Sequence, residues 1–146
     1  MLDTELSYIL TLVGRMLGNI AYRGAKFKIE FAQLRNGTVP GLEFLKAQEP
    51  RWQANMQVLF TRLGDEGRIS NREKFKPIEN TEFWEFKAFQ IRMPCYFRRD
   101  QRVVITHGFL KKDDKIRKGD LIRATNIKNE YEAILKEIPK EGERLQ

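Results

Sequence analysis

The sequence predicts an α+β fold: a small twisted antiparallel sheet with helices packed on one side of it. Three observations carry this expectation. The chain has 146 residues, one domain's worth. Two helical apolar stripes follow one another between residues 40 and 67. Three strand-like runs with short links then occupy residues 83–107, ahead of a final helix.

The elements follow in order. Leu6, Ile9, Leu10, Val13, Leu17 and Ile20 recur at steps of three and four, which predicts an amphipathic helix over residues 3–20, weakened by Gly14 and Gly18. Phe27, Ile29 and Phe31 alternate with charged residues, the pattern of a half-buried strand. Asn36-Gly37 is a turn. Pro40 opens a short helix through Gln48, and Pro50 a second one with Trp52, Met56, Leu59, Phe60 and Leu63 on one face. That stripe reads as core, and Gly64 to Gly67 is expected to stop it. Residues 68–81 are polar and basic, contain Pro77, and are expected to form a mobile loop. Strands are predicted over Phe83–Phe89, Ile91–Arg98 and Val103–His107, joined as an antiparallel meander; Pro94 implies an edge or a bulge in the middle one. Arg99-Asp100-Gln101 has the length of a hairpin turn. Lys111–Lys118 is a basic loop. Asp120 is expected to cap a last helix with Leu121, Ala124, Ile127, Tyr131 and Ile134 on its apolar face, and Pro139 ends it. Residues 1–25 are thus a helical extension, 26–138 the folded domain and 139–146 a polar tail.

Charge narrows the function. Lys and Arg number 27 against 20 Asp and Glu, a net of +7. Residues 84–128 alone hold 12 basic and 5 acidic side chains, while the flanking segments nearly cancel. A field so concentrated attracts phosphates and points to nucleic acid or the ribosome. The longest apolar-rich stretch is broken by Thr11, Gly14, Arg15, Gly18 and Asn19 and falls short of a bilayer span, so no membrane partner is expected and the cytoplasm is the expected location.

Several chemistries drop out. One cysteine, Cys95, allows neither an internal disulfide nor a cysteine zinc site, and one histidine allows no histidine-rich metal site. There is no phosphate-binding or dinucleotide-binding glycine loop, so no cofactor is expected. Asp113-Asp114 is flanked by lysines and reads as locally neutralised, so no metal is expected there. What remains is a set of cations. Lys87 and Arg92 lie on adjacent strands, His107 ends the next, and Lys111, Lys112 and Lys115 follow. Such a group can cut RNA without metal. A ribose 2′-hydroxyl attacks the adjacent phosphorus, and fixed cations stabilise the charge that develops on the phosphorane oxygens. The planar fork of Arg92 suits two phosphate oxygens, and His107 is a candidate proton carrier. As a strand-end cation, Arg92 is expected to contribute little to the core. Arg68, Arg72, Lys74 and Lys76, with Lys112, Arg117 and Lys118, would add phosphate contacts.

These residues carry a family resemblance. Phe83-Trp84-Glu85-Phe86-Lys87 resembles the (L/F)-(W/Y)-E-L-R strand of the RelE/ParE toxin superfamily, in its HigB-like, phage Gp49-like branch. Ile91-Arg92-Met93-Pro94-Cys95-Tyr96-Phe97 is similar to the strand that follows it there. The run from Val103 to Lys115 resembles I-V-L-L-H-G-F-x-K-K-x-x-K. The resemblance implies a RelE-like βααβββα domain behind an extra N-terminal helix. It also implies the toxin of a type II toxin–antitoxin pair: a metal-independent endoribonuclease that cuts mRNA on the ribosome and is silenced by a HigA-like antitoxin with a helix-turn-helix domain. Lys87, Arg92, His107, Lys111 and Lys115 match the family's catalytic positions. Lys87 stands where arginine is commoner, and Glu85 where the RelE branch has lysine. A ParE-like gyrase-directed toxin and an inert phage or prophage protein of the same fold are the alternatives.

Overall fold

The structure is a computed structural model that describes residues 19–138. The helix expected over residues 3–20 lies outside them as far as residue 18, and the polar tail 139–146 lies outside them too. Ile20 is not helical. It starts β1 (Ile20–Arg23), which runs antiparallel to β2 (Lys28–Phe31), so the sheet begins ahead of residue 26. A tight turn explains this: the Gly24 amide donates to the Phe27 carbonyl at 2.9 Å and folds the chain back at once.

α1 (Pro40–Lys46) and α2 (Pro50–Glu66) both begin on proline, whose missing N–H costs nothing in a first turn. α2 stops within Gly64 to Gly67 as expected, at the second glycine. The helix ends at Gly67, left-handed at φ 82°, whose amide donates to the Leu63 carbonyl at 2.9 Å. Gly64 serves packing instead: its carbonyl accepts from the amides of Lys26 and Phe27 at 2.7 and 2.9 Å, and a side chain on Gly24 would run into its backbone.

Residues 68–81 are not a plain loop. Phe75–Pro77 forms β3, antiparallel to β4 (Trp84–Ala88), with Ile69, Phe75 and Ile78 buried. Three apolar residues spread through a polar run give no periodicity, and Pro77 is tolerated because β3 is an edge strand. β5 (Ile91–Arg98), β6 (Arg102–Ile105) and the short β7 (Phe109–Leu110) complete a sheet of order β1-β2-β6-β5-β4-β3, with β7 beside the start of β5. The meander of β4, β5 and β6 is antiparallel as expected. The whole sheet is mixed, because β2 runs parallel to β6, with Ile29 opposite Val103 and Phe31 opposite Ile105. A strand's own residues do not encode the direction of a neighbour brought in from seventy residues away.

Pro94 sits at a bulge. Cys95 faces Ile105 and Arg92 faces Phe109, so Met93 and Pro94 oppose the three residues Thr106, His107 and Gly108. The Pro94 carbonyl accepts from the Thr106 amide at 2.9 Å, and its missing donor falls in this irregular stretch. Gly108 is needed there, since a Cβ would lie 2.2 Å from the Phe44 ring of α1.

The helices lie on both faces of the sheet, not on one. Met56, Leu59, Phe60 and Leu63 of α2 pack on Ile29, Phe31, Phe86, Met93 and Ile105. On the other face Ala124, Ile127 and Tyr131 of α3 (Lys118–Glu137) pack on Tyr96, Val104 and Phe83. Burial of each large side chain contributes on the order of 1.5–3 kcal/mol. The reason for two covers is visible in β5: Ile91 to Tyr96 are buried without alternation, as in a strand roofed on both sides. Buried Glu30 locks the second layer. It receives Arg102 in a two-pronged ion pair at 2.5 and 2.6 Å and the hydroxyl of Tyr131, joining β2, β6 and α3.

α3 begins at Lys118, and its N-cap Arg117 offers no side-chain cap. Asp120 lies in the first turn and turns its carboxylate to His107. α3 leaves the β4, β5 and β7 end of its face open, and the cations gather there.

Candidate nucleic-acid cleft

Strand register builds the floor. On β4, Glu85 and Lys87 are two residues apart and share a face. Lys76 of β3 is opposite Glu85, and Arg92 of β5 is opposite Lys87. Like charges directly across a ladder oppose folding. Glu85, diagonal to Arg92, offsets this, with its carboxylate 3.5 Å from the guanidinium Nε. β7 and the loop after it supply the wall, with Lys111, Lys112, Lys115 and Arg117, and the first turn of α3 adds Asp120. The enclosed volume is about 370 Å³, within the range of small-ligand sites.

Arg92 is far more than a strand-end cation. It is only 9% exposed. Its Nη1 donates to the carbonyls of Phe89 and Ile91, both at 2.8 Å, which pins the fork against the β4–β5 turn. No buried side-chain nitrogen or oxygen lacks a partner among the described residues, so Nη2, which has no protein acceptor there, meets the cleft. The expectation that Arg92 contributes little to the core is therefore overturned.

Two groups are tuned by their surroundings. Burial pushes the Glu85 carboxyl above its ordinary pKa, against the pull of Arg92 and three lysines. Burial lowers the Lys87 ammonium, and the positive charges of Lys76 and Arg92 add to the effect. A stronger base and a stronger acid thus stand on one strand, on one face. Glu85 departs from the lysine of the RelE branch, yet its position two residues before Lys87 is the signal that places the two on one face.

His107 is not brought into the cleft. It is fully buried at the bulge. Asp120, 3.4 Å from Nε2, is the link between it and the cleft wall. Thr106 Oγ1 lies 3.1 Å from Nδ1 and donates to the Pro94 carbonyl at 3.3 Å. Burial, with Arg123 nearby, lowers the imidazole pKa to about 4, so the ring is neutral at pH 7.

The remaining basic residues divide. Lys76, Lys112 and Arg117 line the cleft. Arg72 lines an adjoining groove that shares Lys76 and Lys115 with it. Arg68, Lys74 and Lys118 are exposed and line neither. Asp113 pairs with Arg117 at 2.8 Å and Asp114 with Lys111 at 3.7 Å, the local neutralisation expected of that pair. Among the described residues no three acidic, histidine or cysteine side chains gather in a way that would hold a metal ion, and no helix is long and apolar enough to cross a membrane.

No curated protein matches the chain. The model of the family described as "Phage derived protein Gp49-like" matches residues 43–129, which take in the end of α1, all of α2, β3 to β7 and the first half of α3. That match covers more than half of the sequence and contains every residue of the cleft floor and wall. The chain belongs to the phage-derived Gp49-like family, a family of RelE/HigB-like toxins.

Proposed function

We propose that the protein is the toxin of a type II toxin–antitoxin pair and cuts mRNA on the translating ribosome, with no metal in the reaction. The observation that carries this reading is the convergence of Lys87, Arg92, Lys111 and Lys115 around one tuned carboxylate, Glu85, in one cleft. Arg92 grips the scissile phosphate with its free edge, and Lys111 and Lys115 stabilise the charge that grows on the phosphorane. Glu85 takes the proton of the ribose 2′-hydroxyl as its oxygen bonds to phosphorus. Lys87 gives a proton to the departing 5′ oxygen as that bond breaks. The products are a 2′,3′-cyclic phosphate and a 5′-hydroxyl. His107 acts as a positioning residue that orients Asp120 in the wall. Arg72 and Lys76, with Lys112 and Arg117, extend the phosphate track, and Arg68, Lys74 and Lys118 contribute long-range attraction.

In this reading residues 20–138 form the toxin unit, and a helix-turn-helix antitoxin of the HigA kind covers the cleft. The test is induction of the full chain in cells, followed by sequencing of RNA 5′ ends. New ends inside translated frames support the reading. A DNA-damage response with intact mRNA indicates a gyrase-directed toxin, and undisturbed growth indicates an inert relative. Either of those two results overturns the proposal.

A further inference from the structure

The groove beside the cleft has a chemistry of its own. Its volume is about 450 Å³, and it shares Lys76, Glu85 and Lys115 with the cleft, so the two form one trough across the open face of the sheet. Strand register orders the groups along it. Lys87 and Arg92, paired across β4 and β5, line the cleft and not the groove. Glu85 and its partner Lys76, two residues back along β4, line both. Beyond them the groove continues onto Pro77, Ile78 and Asn80.

This end of the trough suits a base better than a phosphate. Seven cations and four carboxylates line the cleft, but three of each line the groove, so its charges cancel. Ile78 is only 8% exposed, and Pro77 and Ile116 are half-buried, which gives the groove an apolar side. Asn80 supplies an amide, a donor and an acceptor together. It stands at φ 62°, which asparagine tolerates. The turn does not use its side chain. Thr81 closes it instead, with amide and hydroxyl both donating to the Ile78 carbonyl at 3.2 and 2.8 Å. Among the described residues the Asn80 amide group has no partner.

We propose that the groove holds the base of the nucleotide whose 2′-hydroxyl attacks, and that Asn80 reads its edge, favouring a base with an exocyclic amino group over uracil. The proposal rests on the reading of the cleft as an RNA-cutting site and adds the side on which the substrate lies. Glu85, which takes the proton of the 2′-hydroxyl, belongs to both compartments, whereas Lys87, which serves the departing oxygen, belongs to the cleft alone. The nucleotide on the 5′ side of the cut therefore faces the groove. Unpaired bases are read in this way in general, by hydrogen bonds to their exposed edges. Adenine, cytosine and guanine each offer an amino group to the amide oxygen of Asn80 or to the carboxylates of Glu79 and Asp114, which also line the groove. Uracil offers one ring N–H between two carbonyls, which face those carboxylates unfavourably. A matched pair of hydrogen bonds to a base edge discriminates by about 5- to 150-fold.

The experiment is a titration of the purified full chain at low salt with short 2′-O-methylated oligomers, which resist cleavage: one of adenosine, one of cytidine, one of uridine, and one of equal length and charge that lacks bases. The parent should bind the adenosine and cytidine oligomers about 5- to 150-fold more tightly than the uridine oligomer. Asn80→Gly removes the amide and suits the positive φ, so turn strain cannot account for its effect. It should bring the first two down to the uridine oligomer, with the uridine and abasic oligomers bound as by the parent. In RNA 5′ ends mapped from cells, uracil should be depleted immediately before the cut with the parent and return there with Asn80→Gly. If the parent binds the probes without this order, or Asn80→Gly leaves the order unchanged, the base site is wrong while the cleft stands. Equal weakening of all four probes also overturns it, because Asn80 then acts through the fold. Uracil depleted after the cut, or on neither side, overturns the placement of the substrate. A parent that binds no probe, or leaves RNA whole, removes the cleft reading and the base site together.

Discussion

Glu85 and Arg92 are diagonal neighbours on β4 and β5, both almost wholly buried, with 3.5 Å between carboxylate and guanidinium. Lys76, Lys87 and the wall lysines stand around this pair. The carboxylate compensates a cation held opposite Lys87, and the cation opposes the upward push that burial gives the carboxyl's pKa.

Removal of either partner is therefore costly to the fold. Arg92→Ala strands a buried carboxylate and leaves two carbonyls without their donor, and it should cost about 2–4 kcal/mol in urea unfolding. Adding Glu85→Gln should recover part of this loss. Equal stabilities of the parent and Arg92→Ala would show that the pair has no structural role.

The wall lysines behave differently. Lys111 and Lys115 are exposed, so Lys111→Ala and Lys115→Ala should change stability by no more than about 0.5 kcal/mol. Each should reduce the salt dependence of RNA binding by about one counterion. An unchanged slope in binding isotherms taken at several salt concentrations would place these residues off the RNA path.

His107 gives the protein an acid-sensitive joint. The unfolded chain takes up this proton near pH 6.5 and the folded chain only near pH 4. Between those values the unfolded state holds more protons, so stability falls as the pH falls, by about 3 kcal/mol over the full window. Glu85 has the opposite sign, because its folded pKa is raised and the folded state gains protons first. Urea midpoints at pH 7 and pH 4.5 should therefore fall less in His107→Asn, and more in Glu85→Gln, than in the parent. Identical losses in all three chains would contradict the buried, neutral imidazole.

The glycine after His107 is a packing requirement. In Gly108→Ala the new methyl would meet the Phe44 ring 2.2 Å away, so either α1 or the bulge must shift. A loss of about 1–3 kcal/mol is expected, and Gly108→Ala should cost much less in a Phe44→Ala background, where the ring is gone. Unchanged stability in Gly108→Ala would show that the ring swings aside freely.

Much of this was legible in the chain. The 3.6-residue stripe of α2 reports its one-sided burial directly, the β-branched run of β6 marks a strand, and the spacing from Lys87 to Lys115 foretells one basic region. Other parts depend on partners distant in sequence. β3 has too few apolar residues to show a period, and the parallel pairing of β2 with β6 has no local signature. Glu85 and His107 show the limit most clearly. Residue type alone made His107 the proton carrier and Glu85 an anomaly. The bulge at Pro94 instead sends the imidazole into the interior, while β4 turns the carboxylate into the cleft.

The central claim is that an RNA backbone breaks in this cleft by attack of its own 2′-hydroxyl. The direct measurement is the chemistry of the cut ends after the purified full chain meets ribosomes translating a defined message. The account predicts 2′,3′-cyclic phosphate and 5′-hydroxyl termini, formed on the order of 10²- to 10⁴-fold more slowly by Glu85→Gln. Termini bearing 3′-hydroxyl and 5′-phosphate, or a message left whole by the parent, would contradict it.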